Sequence, residues 1–348
     1  ITAIDALTAS VVTVASATVS GTNTELIALS NLKTAGSVTY GNPAMTVTNP
    51  VTVAEANAIN ALTTNALTTA TISETTEAAL DDLALNANNT ANAYTLNLSE
   101  TSYVAADLIT LNGLTTVPIN ASSVTTLTGT AAQILTVLVE NSDFDTNYTS
   151  AKARTITGLD NVVVTPTAGQ TATITQIFGI EKLTTGLVTA TVEANDVNQG
   201  LDHLMDTTSG IGLTNPNNAI SVTVNDGGAT DQVISAADLL TLNSRTTGLI
   251  TVTVSTISGT VADLKTAFAA NANPAVAGTQ ITGLQADGAT ITYPANATDT
   301  TLSATDYNIL DAATTGVVTA SAATAMTGVG TLVADANGTL QSELQTAL

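Results

Sequence analysis

Residues 235–254 read SAADLLTLNSRTTGLITVTV, and the fold is predicted from the pattern of these residues. It contains a sequence typical of a helix, then a Thr-Thr-Gly turn, and then a run in which apolar residues alternate with threonine. Alternation with a period of two residues is typical of a strand with one buried face. Closely similar stretches read AADLITLNGLTTVPI at 105–119 and ATDYNILDAATTGVV at 304–318. The chain therefore repeats one structural unit.

The Thr-Thr step marks the period of the repeat. A degenerate first copy lies at Thr8-Ala9, and the later copies follow at intervals of roughly 60 residues, which indicates a repeat array. The later steps are Thr63-Thr64, Thr115-Thr116, Thr184-Thr185, Thr246-Thr247 and Thr314-Thr315. The predicted units are a partial repeat at 1–50, repeats at 51–100, 101–166, 167–228 and 229–295, and a partial repeat at 296–348. Partial units at both ends predict a piece of a longer array, or a subunit whose ends are covered by its neighbours.

Within each unit the pattern predicts the order helix, strand, helix, strand. After the strand at 249–256 comes a second helix signal, GTVADLKTAFAAN at 259–271, and then a strand signal, ITGLQADGATITY at 281–293. Strands that recur in tandem after helices favour parallel stacking between successive units. We therefore predict an α/β fold, an elongated solenoid with parallel stacked strands. An all-β solenoid and a row of small β-rich domains are the alternatives.

An aspartate recurs at the same place in three copies, as Asp107, Asp238 and Asp306. A Ser or Thr three residues before an acidic residue or Gln is the sequence signature of a capping box at a helix start. We interpret the recurrent aspartate as such a device, and not as a catalytic acid. The predicted boxes pair Thr52 with Glu55, Thr130 with Gln133, Ser235 with Asp238, Thr260 with Asp263 and Ser303 with Asp306.

The composition excludes several classes of function. Acidic residues number 28 against six Lys and Arg, which gives a net charge of −22. So negative a chain repels phosphate, and we expect no nucleic-acid partner. Cysteine is absent, which rules out disulfides and thiolate metal sites. No apolar run reaches the length of about 18 residues that a membrane-spanning helix needs.

Two acidic stretches predict calcium sites. Asp143, Asp145 and Asn147 match the first three ligand positions of an EF-hand loop, but Tyr148 and Arg154 stand where that loop requires Gly and Glu. The alternative reading of this stretch is a solvated loop between units. The other stretch, NDGGATDQ, contains Asp226 and Asp231 and is similar to a calcium-binding nonapeptide repeat, although it occurs once. Calcium is the one cofactor that the sequence suggests.

Catalytic signals are sparse, and we expect no enzyme. His203 is the only histidine and lies between Leu201 and Leu204, a setting that favours a structural role. The chain has no G-x-S-x-G elbow and no Trp to stack on sugars. A polysaccharide-active β-helix enzyme and an ice-binding threonine array remain as less favoured readings.

The pattern SAADLxTLNxxTTGxITV at 235–252, with GTVADL at 259–264 and ITGL at 281–284, resembles a known repeat class. That class is the giant Thr-, Ala- and Asn-rich tandem-repeat cell-surface proteins of bacteria, of the marine cyanobacterial type. The resemblance implies an exported scaffold, sheath, filament or adhesin stalk, often with calcium-binding repeats elsewhere in the chain. It transfers no catalytic residue.

These patterns together predict an extracellular structural repeat protein at the cell surface. We expect it to assemble with copies of itself into a filament, sheath or layer. A calcium-dependent adhesin stalk that binds a surface ligand such as cell-surface polysaccharide is the alternative. Either role needs a long, regular and well-solvated chain more than a reactive site.

Overall fold

The computed structural model describes most of the first half of the chain and parts of the second. The described residues are 9–15, 17–86, 88, 90–143, 151–167, 171–194, 217–225, 233–253, 256–272, 281–282, 290–292, 301–303, 305–306, 309–310, 318–319 and 323–327. The chain divides into two compact units. Unit 1 comprises Ile1–Thr167 with Leu183–Gly186, and unit 2 comprises Ala168–Lys182 with Leu187–Leu348.

Helices and short strands alternate along the described residues. The helices are α1 (Asn23–Thr34), α2 (Val53–Asn60), α3 (Glu77–Leu80), α4 (Ala105–Leu114), α5 (Ala131–Asn141), α6 (Ile174–Leu183), α7 (Ala236–Asn243) and α8 (Val261–Ala272). The strands as far as the end of unit 1 are β1 (Val12–Val14), β2 (Thr18–Gly21), β3 (Val38–Tyr40), β4 (Ala44–Val47), β5 (Ala70–Thr71), β6 (Tyr94–Thr95), β7 (Ser102–Val104), β8 (Ile119–Asn120), β9 (Thr126–Gly129), β10 (Ile156–Thr157) and β11 (Val163–Pro166). Those of unit 2 are β12 (Thr171–Ala172), β13 (Thr189–Ala194), β14 (Ala219–Asn225), β15 (Val233–Ser235), β16 (Ile250–Thr253), β17 (Thr256–Ser258), β18 (Ile281–Thr282), β19 (Thr290–Thr292), β20 (Thr301–Ser303), β21 (Val318–Thr319) and β22 (Ala325–Thr327).

The described strands form small open sheets in which every strand pair is parallel. In unit 1 the strand orders are β1-β3, β2-β4, β5-β6, β8-β10 and β7-β9-β11. In unit 2 they are β12-β13-β14-β16-β18, β15-β17-β19-β21 and β20-β22. The register aligns like residues, as in Val12 with Val38 and Ile250 with Ile281. Mixed helices and short parallel strands therefore make up the fold.

The element order differs in one respect from the predicted helix, strand, helix, strand. Two short strands separate several pairs of successive helices, as β8 and β9 do between α4 and α5, whereas β5 alone lies between α2 and α3 and three strands lie between α5 and α6. The stretch 281–293, predicted as a single strand, contains β18 and β19 as separate strands. In the corresponding stretch of an earlier repeat, 156–165, Gly158 follows β10 with a φ of 96° and ends the strand. The left-handed conformation favours glycine and breaks the extended run, so the stretch 156–165 yields two strands.

The core consists mainly of aliphatic side chains, with buried aromatic rings such as those of Tyr94, Tyr103 and Phe178 among them. Leu26, Leu108, Ile134 and Leu239 turn inward from their helices and are almost completely buried. Alternate residues of the sheets meet them, so that in β14 Ile220, Val222 and Val224 are all buried. Each fully buried side chain of this kind contributes about 1.5–3 kcal/mol of transfer free energy. Buried side chains from both helices and strands thus stabilise both units.

Candidate functional site: the Thr-Thr turns and a carboxylate cluster

The first threonine of each described Thr-Thr step is buried and joins two segments of the chain. Its Oγ1 donates a hydrogen bond to a backbone carbonyl 20 to 26 residues earlier. The pairs are Thr63 with Pro43 at 2.7 Å, Thr115 with Tyr94 at 2.6 Å, Thr184 with Val162 at 2.7 Å and Thr246 with Ile220 at 2.7 Å. We call these four steps the Thr-Thr turns. A buried hydroxyl that lacked such a partner would destabilise the fold, so the contact is structurally required.

The same hydroxyl also fixes the shape of the turn. It accepts a hydrogen bond from the backbone N–H two residues later: Asn65 at 3.1 Å, Val117 at 3.0 Å, Gly186 at 3.0 Å and Gly248 at 2.9 Å. The N–H of the second threonine then donates to the earlier segment, as Thr247 does to the carbonyl of Asn218 at 2.9 Å. Each turn therefore makes several bonds to one preceding segment. The fifth step, Thr314-Thr315, lies outside the described residues.

Glycine follows the Thr-Thr step where the backbones approach most closely. A Cβ at Gly186 would overlap the carbonyl oxygen of Val162, and a Cβ at Gly248 would overlap the backbone of Ile220. Both obstacles are main-chain atoms, which cannot swing aside as a side chain can. The Thr-Thr-Gly pattern is thus explained by close backbone approach.

Buried asparagines provide a second kind of contact between segments. Asn92, Asn141 and Asn218 are each at most 1% exposed. Their Oδ1 atoms accept backbone N–H bonds from Leu67 at 2.7 Å, Leu159 at 3.0 Å and Val188 at 2.9 Å, respectively. The sequence pattern did not predict this role for the three asparagines. Burial of an amide side chain leaves no local sequence signal beyond an Asn near the end of an apolar run.

Each predicted capping box lies at the start of a helical segment. Thr52 and Thr130 form reciprocal boxes with Glu55 and Gln133. The N–H of Asp238 donates to Ser235 at 3.4 Å, that of Asp263 to Thr260 at 3.2 Å, and that of Asp306 to Ser303 at 3.0 Å. Two further boxes of the same form, Thr22 with Glu25 and Thr173 with Gln176, were missed by the sequence analysis. The same S/T-x-x-E/Q signal would have found them.

The cap contacts set the charge state of their carboxylates. The N–H of Thr52 holds the pKa of Glu55 below its usual value, and the N–H of Thr22 does the same for Glu25. Lys265 contacts Asp306 at 2.8 Å and, together with the hydroxyl of Ser303, lowers the pKa of Asp306. These carboxylates remain ionised at neutral pH.

Several helix starts also receive a cap from a later segment. The first N–H of α1, at Asn23, donates to Asn49 at 2.9 Å. Val53 N–H donates to Glu74 at 3.1 Å, and Glu77 N–H donates to Glu100 at 2.8 Å. Because these partners lie 21 to 26 residues away in the chain, only the tertiary structure brings them together.

Asp107 departs from the role predicted for the recurrent aspartate. The N-cap residue of α4 is Val104, which has no side chain able to cap, and its N–H donates instead to Glu77 at 3.3 Å. The Asp107 carboxyl contacts the Glu77 carboxyl. Burial, this hydrogen bond and the negative charges of Asp107 and Glu100 raise the pKa of Glu77 to about 7. The copy at 105–119 has no Ser or Thr at position 104, so Asp107 has no cap hydroxyl to meet.

Glu77, Asp81, Glu100 and Asp107 form what we call the carboxylate cluster. Their charges all act on Tyr103, whose ring is buried at 1% exposure. The Tyr103 hydroxyl has no hydrogen-bond partner among the described residues. Burial, with the four negative charges, raises the pKa of Tyr103. The cluster therefore places a buried phenol beside several acids.

Of the predicted calcium ligands, one lies in the described residues. Asp143 forms two contacts of 2.9 Å with Arg154, which lower the pKa of Asp143. Arg154 also contacts Asp160 at 3.0 Å. Asp145, Asn147, Asp226 and Asp231 lie outside the described residues, as does His203. Within the described ranges, no group of three or more acidic or histidine side chains has the arrangement of a metal site.

Comparison with known proteins finds no relative of this chain. A scan against protein-family models, a search of curated proteins and a search of solved structures each find no match. Across the helices that the structure describes, none combines the length and the apolar character needed to cross a bilayer.

Proposed function

We propose that this chain is an extracellular structural repeat protein that assembles with its own copies into a filament, sheath or layer at a cell surface. The observation that carries the proposal is the Thr-Thr turn, which makes equivalent bonds at Thr63, Thr115, Thr184 and Thr246. Each turn ties a segment to the one before it. Such nearest-neighbour bonding lets a chain lengthen without redesign of its earlier segments.

The parallel register supports a solenoid arrangement within each unit as part of this proposal. In unit 2, strands β13, β14, β16 and β18 pair in chain order, with buried Val222 beside buried Ile250. When each repeated segment packs on the one before it, added segments lengthen the protein and do not enclose a pocket. Length and regularity are the properties that a surface fibre or sheath requires.

The open sheets supply a route for assembly. A strand at the edge of a sheet presents backbone donors and acceptors to which another chain can add. Among the described residues, β12 and β18 lie at the two edges of the five-stranded sheet. Copies that add at such edges would extend the pattern of parallel pairing between chains.

The net charge sets the conditions under which assembly should occur. A chain of charge −22 repels its own copies at low ionic strength. Cations that screen or bind the acidic side chains should therefore promote assembly. Calcium at the predicted loops, including Asp143, is one source of such cations, and general screening by salt is another.

Negative-stain electron microscopy of the purified chain tests the proposal. Samples at high protein concentration would contain sodium chloride alone, magnesium or calcium, the last with and without a chelator. Regular filaments or sheets are the expected result. Assembly in calcium that the chelator reverses, but not in magnesium of equal ionic strength, would assign a calcium-specific joint. Single particles under every condition would overturn self-assembly.

A further inference from the structure

A corner of unit 1, between the end of α5 and the residues after β10, is held by charged side chains. Arg154 lies at its centre and contacts two acids, Asp143 and Asp160. Its Nε and one terminal nitrogen donate to the two carboxylate oxygens of Asp143, at 2.9 Å each. Its other terminal nitrogen donates to Oδ1 of Asp160 at 3.0 Å. We call these three residues the arginine clasp.

The Asp160 end of the clasp is linked to the core. Oδ1 of Asp160 also accepts a hydrogen bond from the side-chain amide of Asn141 at 3.0 Å. Asn141 is 1% exposed, and its own Oδ1 accepts the N–H of buried Leu159 at 3.0 Å. Two successive hydrogen bonds therefore connect the clasp to a buried backbone amide, whose protection reports on the corner.

A second ion pair lies in the same corner. Lys152 contacts Glu140 at 2.8 Å, and Glu140 also accepts the hydroxyl of Thr155 at 2.6 Å. Two of the six basic residues of this acidic chain thus lie at one corner, each paired with different acids. Lys152 therefore provides an internal comparison for Arg154.

Arg154 occupies the position of a metal ligand in a calcium loop. In the stretch that begins at Asp143, Arg154 is the twelfth residue, where an EF-hand loop has a Glu that binds calcium through both oxygens. The first and twelfth residues of an EF-hand loop meet through the ion that both of them bind. Here they meet directly, because the guanidinium fork matches the two oxygens of one carboxylate.

The guanidinium also disfavours a metal ion at Asp143. Both oxygens of Asp143 already accept a hydrogen bond from Arg154. A metal cation at the same carboxylate would have to displace a permanent positive charge or lie beside it. The bonds from Arg154 also hold the pKa of Asp143 below its usual value, so the acid is ionised and paired at neutral pH.

We propose that Arg154 serves as a built-in cation in place of a metal ion, and that it holds Asp143 against Asp160 without calcium. This clasp belongs to the fold of unit 1, and it holds whether or not the chain assembles with its copies. It narrows the calcium hypothesis, since the loop that begins at Asp143 would then need no metal ion to close this corner.

The exposure of the clasp makes it sensitive to salt. The side chain of Arg154 is 31% exposed, and those of Asp143 and Asp160 are 63% and 60% exposed. Isolated exposed ion pairs contribute little to stability, whereas a bidentate arginine in a network is the geometry that contributes measurably. Screening weakens such pairs, so high salt should loosen the clasp, although it should promote assembly. The opposite signs make a failure of the clasp distinguishable from a failure of self-assembly.

The test compares the unmodified chain with Arg154→Met, which keeps an unbranched apolar side chain and removes the guanidinium. Amide hydrogen exchange at Leu159, measured at low protein concentration with a chelator present, reports the opening of the corner. That opening should rise about fivefold in Arg154→Met. Raising sodium chloride from about 0.1 M to about 1 M should increase it in the unmodified chain but not in the variant. Equal opening in the two proteins would overturn the proposal.

Lys152→Met is the matched control. It removes one positive charge from the same corner but leaves the bonds of Arg154 to Asp143 and Asp160 in place. The opening at Leu159 should change by less than about twofold. An increase equal to that in Arg154→Met would overturn the specific role of the clasp, because loss of any positive charge would then suffice.

Calcium distinguishes a built-in cation from a bound one. In the unmodified chain, the opening at Leu159 should be the same in calcium chloride as in magnesium chloride of equal ionic strength. Slower exchange in calcium, reversed by a chelator, would show that a metal ion holds the corner and would overturn the proposal.

Asp143→Asn keeps the proposal testable if Arg154→Met folds poorly. This substitution keeps the shape of the side chain but removes the charge that Arg154 contacts. It should raise the opening at Leu159 in the same direction as Arg154→Met. Exchange as slow as in the unmodified chain would show that the ion pair does not hold the corner.

Discussion

The Thr-Thr turn at 115–117 and that at 246–248 perform the same task with different third residues. In both, the first threonine is buried and donates to a carbonyl of an earlier segment, at 2.6 Å from Thr115 and 2.7 Å from Thr246. The first turn continues with Val117, and the second continues with Gly248, where a Cβ would overlap Ile220. The hydroxyl is thus the constant requirement of the turn, and glycine is required only where two backbones nearly touch.

The difference shows how a repeat can vary without losing its fold. The partner of the threonine is a backbone carbonyl, which every residue type supplies. The neighbouring sequence can therefore change freely around the hydroxyl. The spacing of the two backbones is set by the local path of the chain, so the glycine belongs to particular copies and not to the repeat as such.

The largest loss of stability is expected from a substitution of Gly248. Gly248→Ala places a methyl group against the backbone of Ile220, and relief requires a shift of the main chain. We expect a loss of about 1–3 kcal/mol or more in the free energy of unfolding. Urea denaturation followed by circular dichroism measures it.

Gly113→Ala is the control for that substitution. Gly113 lies in α4 with open space where a Cβ would be placed. Because alanine favours a helix over glycine by about 0.5–1 kcal/mol, this variant should be slightly more stable. Equal stability of Gly248→Ala and the unmodified chain would refute the close approach of the two backbones.

A smaller loss of stability is expected when the threonine hydroxyl, which is present in both turns, is removed. Thr246→Val keeps the shape of the side chain but leaves the N–H of Gly248 without its acceptor. Thr115→Val does the same for Val117. Each should cost about 1–3 kcal/mol, because the N–H that loses its acceptor is buried at Gly248 and part-buried at Val117. Similar losses at the two sites would support a common role, and the thermal unfolding midpoint provides the measurement.

Thr247→Val serves as the control for the hydroxyl. Thr247 is exposed, and its Oγ1 makes longer contacts, at 3.2 Å and 3.4 Å. Its loss should change the free energy of unfolding by no more than about 0.5 kcal/mol. If Thr247→Val is as damaging as Thr246→Val, burial is not what distinguishes the two threonines.

The smallest loss of stability is expected at a helix start. Thr52→Ala removes a solvent-exposed capping box, but the Val53 N–H still donates to Glu74 in another segment. The expected loss is therefore at or below the usual value of about 1 kcal/mol for an N-cap. Chemical denaturation of Thr52→Ala, Glu74→Gln and the double variant measures whether the two caps compensate for each other. A double variant whose loss equals the sum of the single losses would argue against compensation.

The helix starts are the part of the fold that the sequence predicted most directly. A capping box links residues three apart, so a local pattern such as Thr130-x-x-Gln133 contains both partners. Asp107 had the same spacing to its helix as Asp238 and Asp306, yet it meets Glu77 instead of a hydroxyl. The absence of a Ser or Thr at position 104 was visible in the sequence, but the identity of its distant partner was not.

The division of the predicted strand at 156–165 into two strands was also not visible in the local pattern. The run ITGLDNVVVT at 156–165 reads as continuous, yet Gly158 adopts a positive φ and separates β10 from β11. Glycine permits this conformation without requiring it. Which glycine bends the chain depends on the backbone it packs against, here Ser122.

The amino-acid pattern alone predicted three repeated features: inward-facing aliphatic residues, helix starts marked by Thr or Ser, and a Thr-Thr step at intervals of roughly 60 residues. These features depend on residues a few positions apart, whose geometry is fixed by a single helix or strand. The tertiary structure decided which carbonyl receives each threonine hydroxyl, which glycines are indispensable and why Glu77 faces Asp107. Those outcomes depend on how segments 20 or more residues apart come together, and the pKa of a carboxyl responds to every charge and surface around it.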